Sequence, residues 1–258
     1  MAARDADFLC LVMTLSFPPP ALAHATDLNP TLQQQGFAVL GTAHVTQLSG
    51  APLSDLLGWC PGWNDLPPDA YLRDGGRYRR RRHSCFVVNG DTVEQVPHRP
   101  HWQPVEYNAL HGGLERHFEP MLPALVQQPA WAHLMAWLGR VCSDLKGTRP
   151  WFVEAHQFRI DTTDGIGRPT PEGAHRDGVD MVAVFMVARQ GVKGGETRVF
   201  DAAGPAGQRF TLSEPWSVLL LDDARVIHET TPIQPQDAGG YRDTLVITLR
   251  AGGFQAEA

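Results

Sequence analysis

Hydrophobic and polar positions along the 258-residue chain change their period near Pro150. Before it the pattern mixes helix and strand. Asp27-Leu28-Asn29-Pro30 places a capping side chain ahead of a proline in the first turn, which predicts a helix start. Gly36 ends that helix, and Phe37-Ala38-Val39-Leu40 predicts a buried strand. Tyr78 to Val88 and Thr92 to Val96 predict two strands joined at Asn89-Gly90, a strong hairpin-turn pair. From about Pro120 to Leu145, Leu122, Leu125, Trp131, Leu134, Trp137 and Leu138 recur at three- and four-residue steps and predict helix, with the aromatics as core candidates. After Pro150, strand-like runs follow one another between Gly, Pro and Asp turns. They are Trp151 to Ile160, Met181 to Ala188, Thr197 to Phe200, Gln208 to Leu212, Ser217 to Leu221, Arg225 to Ile227 and Thr244 to Arg250. Many short strands at close spacing predict a β-sandwich or barrel. The expected fold is therefore mainly β with flanking α-helices, the helix-rich N-terminal part packing against one sheet.

No linker interrupts this alternation, so a single domain is expected over residues 27–258. Residues 1–26 are expected to be a poorly ordered N-terminal extension. It contains an apolar run, Phe8 to Phe17, and a small-residue stretch, Ala21-Leu22-Ala23, which raise the alternative of a secretory signal. Arg4 is outweighed by Asp5 and Asp7, three prolines follow the run, and it is too short to span a bilayer. A hydrophobic content of 43% and a charged content of 19% are those of a soluble globular enzyme, expected in the cytoplasm. The formal net charge of -6 argues against a nucleic-acid coat protein. Cys10, Cys60, Cys85 and Cys142 form no Cys-x-x-Cys pair, which removes support for a zinc ribbon or an iron–sulfur site and leaves free thiols as the expectation.

Against this frame, three positions stand out chemically. In Gly173-Ala174-His175-Arg176-Asp177-Gly178, His175 and Asp177 are two residues apart. On an extended segment they share a face, so an imidazole and a carboxylate can converge on one ion. His228 ends the short apolar stretch Arg225-Val226-Ile227. Two histidines and a carboxylate on one face of an octahedron are the ligand set of non-haem iron(II) oxygenases, with three positions left for cosubstrate and O2. Arg242 and Thr244 in Tyr241-Arg242-Asp243-Thr244 likewise share a strand face, while Leu245 and Ile247 face away. A guanidinium beside a hydroxyl can grip a carboxylate, as the distal carboxylate of 2-oxoglutarate requires.

The order His-x-Asp, distant His, Arg-x-Thr resembles that of the double-stranded β-helix (jelly-roll, cupin-like) dioxygenases dependent on Fe(II) and 2-oxoglutarate. More narrowly, Thr170 to Gly178, Gly194-Gly195-Glu196-Thr197 and His228 to Ile233 resemble a bacterial subgroup of free L-amino-acid hydroxylases, the isoleucine 4-hydroxylase type among them. The resemblance runs from about Asn29 to Phe254 and is strongest between Trp151 and Arg250. It implies His175, Asp177 and His228 as catalytic iron ligands and Arg242, with Thr244 assisting, as the 2-oxoglutarate anchor. It also implies O2 as oxidant and a small-molecule partner such as isoleucine, leucine or methionine; the acidic balance and the lack of a spanning stretch lead to the expectation of no nucleic-acid and no membrane partner. The alternatives are a 2-oxoglutarate dioxygenase for a different small molecule, a metal-dependent cupin-type hydrolase or isomerase, and a non-catalytic binding module.

Other polar features carry weaker expectations. Gln157 and Arg159 are candidates for the barrel mouth. Gly194-Gly195 is expected to be a hairpin turn setting the strand of Thr197. Arg77 and Arg79 to Arg82, followed by His83, are expected to form a solvated edge, with room for one arginine to turn toward the active site. His98, His101, His111 and His117 lack ligand spacing and are expected to be structural.

Overall fold

The computed structural model describes residues 17–108, 110 and 112–256. The signal-like run (except Phe17), Cys10 and His111 lie outside the described residues. Among the described residues the α-helices are α1 (Leu28–Gln35), α2 (Thr42–Ser49), α3 (Leu53–Gly58), α4 (Pro123–Val126) and α5 (Pro129–Lys146). The strands are β1 (Phe37–Leu40), β2 (Arg79–Asn89), β3 (Thr92–Gln95), β4 (Trp151–Asp161), β5 (Met181–Gln190), β6 (Val192–Gly194), β7 (Thr197–Asp201), β8 (Gly207–Phe210), β9 (Val218–Asp222), β10 (Val226–Thr230), β11 (Ile233–Pro235) and β12 (Tyr241–Arg250). The helix predicted from Pro120 to Leu145 is two helices, because Gln128 stands extended before Pro129. A proline disfavours helical geometry in the residue before it and itself fits the first turn of a new helix.

The larger sheet has seven strands in the order β1-β9-β5-β12-β4-β2-β3. The opposing layer is built from β10-β7-β8 and the short pair β11-β6. A further segment joins it through single bridges, Gly167 to Ile233 and His175 to His228. The two layers make a double-stranded β-helix. Gly194 and Gly195 mark the passage from one ladder of the second layer to the next. Both have positive φ, and a Cβ on Gly194 would stand 2.3 Å from the Pro232 carbonyl oxygen.

Alternation along the central strands sorts the residues. Trp151, Val153 and Ala155 on β4, with Leu245, Ile247 and Leu249 on β12, face the helices in a large core that includes Trp131, Leu134 and Leu138 of α5. Gly139 sits where α5 meets β2, since a Cβ there would be 2.7 Å from Val88 Cγ1. The other face of the sheet looks into the sandwich. One end of that interior is apolar, with Phe37, Val182, Met186, Phe210 and Leu221 packed together. The other end is a polar cavity. Ahead of α1, the Leu22 N–H donates to Val39 O at 2.9 Å and Leu22 packs on the large core. No helix among the described residues is long and apolar enough to cross a membrane.

Candidate active site

The cavity has a volume of about 130 Å³ and opens between β2, β4 and β12 on one side and the second layer on the other. His175 and His228 meet across that layer as a mutual backbone pair. His175 N donates to His228 O at 3.0 Å and His228 N to His175 O at 2.9 Å. Their rings consequently lie 4.6 Å apart, centroid to centroid. Asp177 follows on the same face: its carboxylate oxygens are 3.9 Å from His175 Nε2 and 3.8 Å from His228 Nε2. These separations are too long for hydrogen bonds. They leave space for an ion that all three ligand atoms can reach.

Several neighbours orient the triad. His175 Nδ1 lies 2.9 Å from Gly173 O, so that nitrogen carries the proton and Nε2 is presented to the cavity. Burial lowers the basicity of His175, but Asp177, Glu172 and the Gly173 carbonyl outweigh it and raise the net value. His228 is driven well below the ordinary histidine range by burial and then by His175, which makes it a neutral imidazole. The buried Asp223 carboxylate accepts the backbone N–H groups of Asp177, Gly178 and Val179 at 3.0, 2.7 and 3.1 Å. Burial and the Asp177 charge push Asp223 up to about 6 against those donors. Gly178 has φ 75°, and the Tyr107 ring covers it so closely that a Cβ would be 2.4 Å from Tyr107 Cδ2.

Arg242 and Thr244 lie on the cavity face of β12, 3% and 2% exposed. Arg242 Nε and one terminal nitrogen are buried without a hydrogen-bond partner. Burial, then Arg189, pulls this guanidinium down to about 10. A buried cation with unused donors is costly unless an anion meets it.

The basic run is not a solvated edge. Alternation on β2 sends Arg79, Arg81 and His83 into the sandwich, all buried. Arg80 remains half-exposed beside Asp161 and Arg82 pairs with Glu119. Two arginines, not one, therefore line the cavity. Gln157 and Arg159 face away from it, because the cavity side of β4 belongs to Glu154, His156, Phe158 and Ile160. Arg159 instead pairs with Asp243 at 2.6 Å. His101 lines the cavity; His98 is tied to Phe118 O at 2.7 Å, and His117 is exposed.

His83, His101, Glu154 and His156 form a second cluster whose donor atoms lie close enough to suggest a metal. Its proton order argues for a hydrogen-bonded network. Arg81 Nη2 stands 2.7 Å from His156 Nδ1, and a guanidinium can only donate, so His156 carries its proton on Nε2. That Nε2 is 3.7 Å from Glu154 Oε2, while His101 Nδ1 donates to the same oxygen at 2.5 Å. Burial alone would raise Glu154, but His101 and the surrounding ring N–H groups outweigh it and hold the carboxyl well below its usual range.

Gln103, Arg116 and Glu172 also line the cavity, and none carries a role in the sequence reading. Gln103 and Arg116 lie on irregular chain, where no periodicity marks an inward side. For Arg79, Arg81, Glu154 and His156 a signal existed: polar residues at i, i+2 on strands whose alternate residues are apolar or oppositely directed.

A family model described as "2OG-Fe dioxygenase" matches residues 60–248. Among solved structures, a bsmA homolog from Methylobium petroleophilum PM1 is 52% identical with a TM-score of 0.88, over 95% of this chain and 100% of that one. IDO from Bacillus thuringiensis shares the fold at 17% identity and a TM-score of 0.72, over 92% of this chain and 100% of that one. The Fe(II)/α-ketoglutarate-dependent dioxygenase TqaL does so at 19% and 0.68, over 90% of each chain. No curated protein matches the chain.

Proposed function

The chain belongs to the 2OG-Fe dioxygenase family, whose chemistry uses Fe(II), 2-oxoglutarate and O2, and from that premise we propose that it hydroxylates an aliphatic C–H of a free L-amino acid. The observation that carries this reading is the pairing, in one cavity, of the His175, Asp177 and His228 triad with the unpartnered guanidinium of Arg242. The donor set fits Fe(II): two imidazole nitrogens and one carboxylate, with an open side toward the cavity. When bound, the iron supplies the oxidising chemistry that couples decarboxylation of 2-oxoglutarate to hydroxylation, releasing succinate and CO2.

The protein's own residues hold and orient. His175 and His228 offer Nε2 and Asp177 a carboxylate oxygen. Gly173 O and Gln103 fix two of these ligands in place. Arg242, with the Thr244 hydroxyl on the same strand face, takes the distal carboxylate of 2-oxoglutarate and so answers its buried charge. Val179, Val184 and Val246 give the cavity an apolar wall for an aliphatic side chain. The single domain over residues 27–258 is the unit to which we assign this activity. Cys60, Cys85 and Cys142 are free thiols, in keeping with a cytoplasmic location.

Incubation with Fe(II), 2-oxoglutarate and a panel of amino acids, read by mass spectrometry, is expected to yield succinate and a product heavier by one oxygen. Turnover of no member would sink the substrate assignment and leave the cofactor assignment standing. Full activity in Arg242→Ala would instead favour a hydrolase or isomerase that has no use for 2-oxoglutarate.

A further inference from the structure

Four guanidinium groups, those of Arg79, Arg81, Arg116 and Arg242, line the cavity, and all are buried. Each needs a counter-charge to offset its desolvation. Asp69 serves two of them, at 2.7 Å from Arg79 Nε and 3.8 Å from Arg81 Nη1. Arg81 is also held between the Phe118 and Phe158 rings, its guanidinium carbon 3.8 and 4.4 Å from their centroids. Arg116 and Arg242 differ: neither has a carboxylate oxygen within 4.0 Å among the described residues. Each leaves Nε buried without a partner, and burial pulls each down to about 10. 2-Oxoglutarate has one carboxylate to spare once the other end chelates the metal, and Arg242 takes it. Arg116 is left with no carboxylate partner.

Glu172 is the converse. It lines the same cavity, its Oε2 is buried with no partner, and its charge acts on Arg116. Its Oε1 stands 3.5 Å from His175 Nε2. A cation and an anion that form no ion pair with each other therefore share the cavity, and each keeps a buried polar atom without a partner, although Arg116 Nη2 also donates to Gln103 Oε1 at 2.8 Å.

Resting on the dioxygenase reading above, we propose that Arg116 and Glu172 form a clamp for a zwitterionic substrate, Arg116 taking the α-carboxylate and Glu172 the α-ammonium group. A free amino acid neutralises both groups at once. An uncharged substrate strands both, and the interior of a peptide presents neither charge. With the two charged groups held there, the side chain lies against the valine wall, which places an aliphatic carbon toward the triad.

The test is calorimetric binding to the Fe(II)–2-oxoglutarate holoenzyme under oxygen-free conditions. The probes are L-leucine, L-isoleucine and L-methionine, each with its amide and its deaminated acid. The wild type is expected to bind at least one amino acid about tenfold or more tightly than both its analogues, as loss of a charge-assisted hydrogen bond implies. Arg116→Gln is expected to weaken that amino acid by roughly 10- to 100-fold and to abolish its preference over the amide. Glu172→Gln is expected to abolish the preference over the deaminated acid. If Arg116→Gln does not fold, Arg116→Lys keeps the charge without the planar fork and should show a reduced preference over the amide. The affinity for 2-oxoglutarate separates this clamp from the cosubstrate anchor. Arg242→Gln should weaken 2-oxoglutarate more than the amino acid, and Arg116→Gln the reverse. The clamp is overturned if Arg116→Gln weakens 2-oxoglutarate as much as Arg242→Gln does, if the preferences survive both substitutions, or if no amino acid outbinds its analogues. The dioxygenase reading fails separately, through failure of the wild type to bind 2-oxoglutarate.

Discussion

Gln103 donates from Nε2 to Asp177 Oδ1 at 3.2 Å, and its amide has only one orientation that satisfies its surroundings. Oε1 receives Arg116 Nη2 at 2.8 Å and Asn108 Nδ2 at 3.1 Å, so the amino group must turn to the carboxylate. The bond occupies Oδ1 and leaves Oδ2, which faces His228, for a metal. Gln103→Leu is therefore expected to weaken Fe(II) binding by about 10- to 100-fold, the usual cost of losing a partner behind a metal ligand. Competition with a chromogenic chelator measures it; wild-type affinity in Gln103→Leu would remove Gln103 from the site.

Arg242 and Thr244 should separate in their effects. Arg242→Ala removes a buried guanidinium and is expected to raise the KM for 2-oxoglutarate by 100-fold or roughly more, with smaller change in the amino-acid KM. Thr244→Val keeps the shape and removes one neutral donor, for an increase of about tenfold or less. Succinate formation against 2-oxoglutarate concentration reads both.

The buried histidine network makes stability fall in acid. Burial lowers His83, His101 and His156, His101 to about 4 from an ordinary 6.5. Between those values these histidines bind more protons in the unfolded chain than in the native one, so their contribution to stability is complete above pH 6.5 and declines as the pH falls toward 4. His101 alone is worth up to about 3 kcal/mol across that window. Thermal melts from pH 7 to 4 should show this decline, and His101→Gln should flatten it.

Gly178 is expected to tolerate no side chain. Gly178→Ala brings a Cβ into the Tyr107 ring and strains a backbone at φ 75°. Displacement of the adjacent Asp177 should reduce Fe(II) affinity more than tenfold, or about 1.4 kcal/mol. In the double variant with Tyr107→Ala, only the steric part should recover; full recovery would show that φ at this turn is unimportant.

The fold was legible where one period governed a long segment. β12 alternates so regularly that Arg242 and Thr244 share one face by residue order alone. β4 alternates as well, but its order does not say which face is inward, and Gln157 and Arg159 lie on the side away from the cavity. The pairing of His175 with Asp177 was legible because i, i+2 spacing is a local property of an extended segment, whereas the approach of His228 depends on a long-range bridge. On β2, alternation correctly separates Arg79, Arg81 and His83 from Arg80 and Arg82. It does not say whether water or a second sheet lies beyond the inward face, and that depends on pairing with β4. Gln103 and Arg116 are held by a mutual backbone pair between His101 and Arg116 on otherwise irregular chain. No local signal predicts where such chain comes to rest. Trp63 shows the same dependence: its Nε1 reaches Phe158 O at 3.1 Å and Thr244 O at 3.2 Å, behind the strands that line the cavity.

The single rung between His175 and His228 has a consequence for the unloaded protein. The segment carrying His175 and Asp177 is fastened to the second layer by that rung, by the Gly167 to Ile233 bridge and by reciprocal hydrogen bonds between Thr170 and Thr230 at 3.0 Å. An ion shared by residues 175, 177 and 228 would act as a cross-link over more than fifty residues of chain, supplied by the solution and not by the ribosome. Its binding stabilises the fold by an amount that grows with the logarithm of the ratio of its concentration to its dissociation constant. Amide exchange in residues 167–178 should accordingly speed up when iron is stripped, while the large core under α5 stays protected. Iron supply would then govern how long the enzyme survives proteolysis as well as how fast it works.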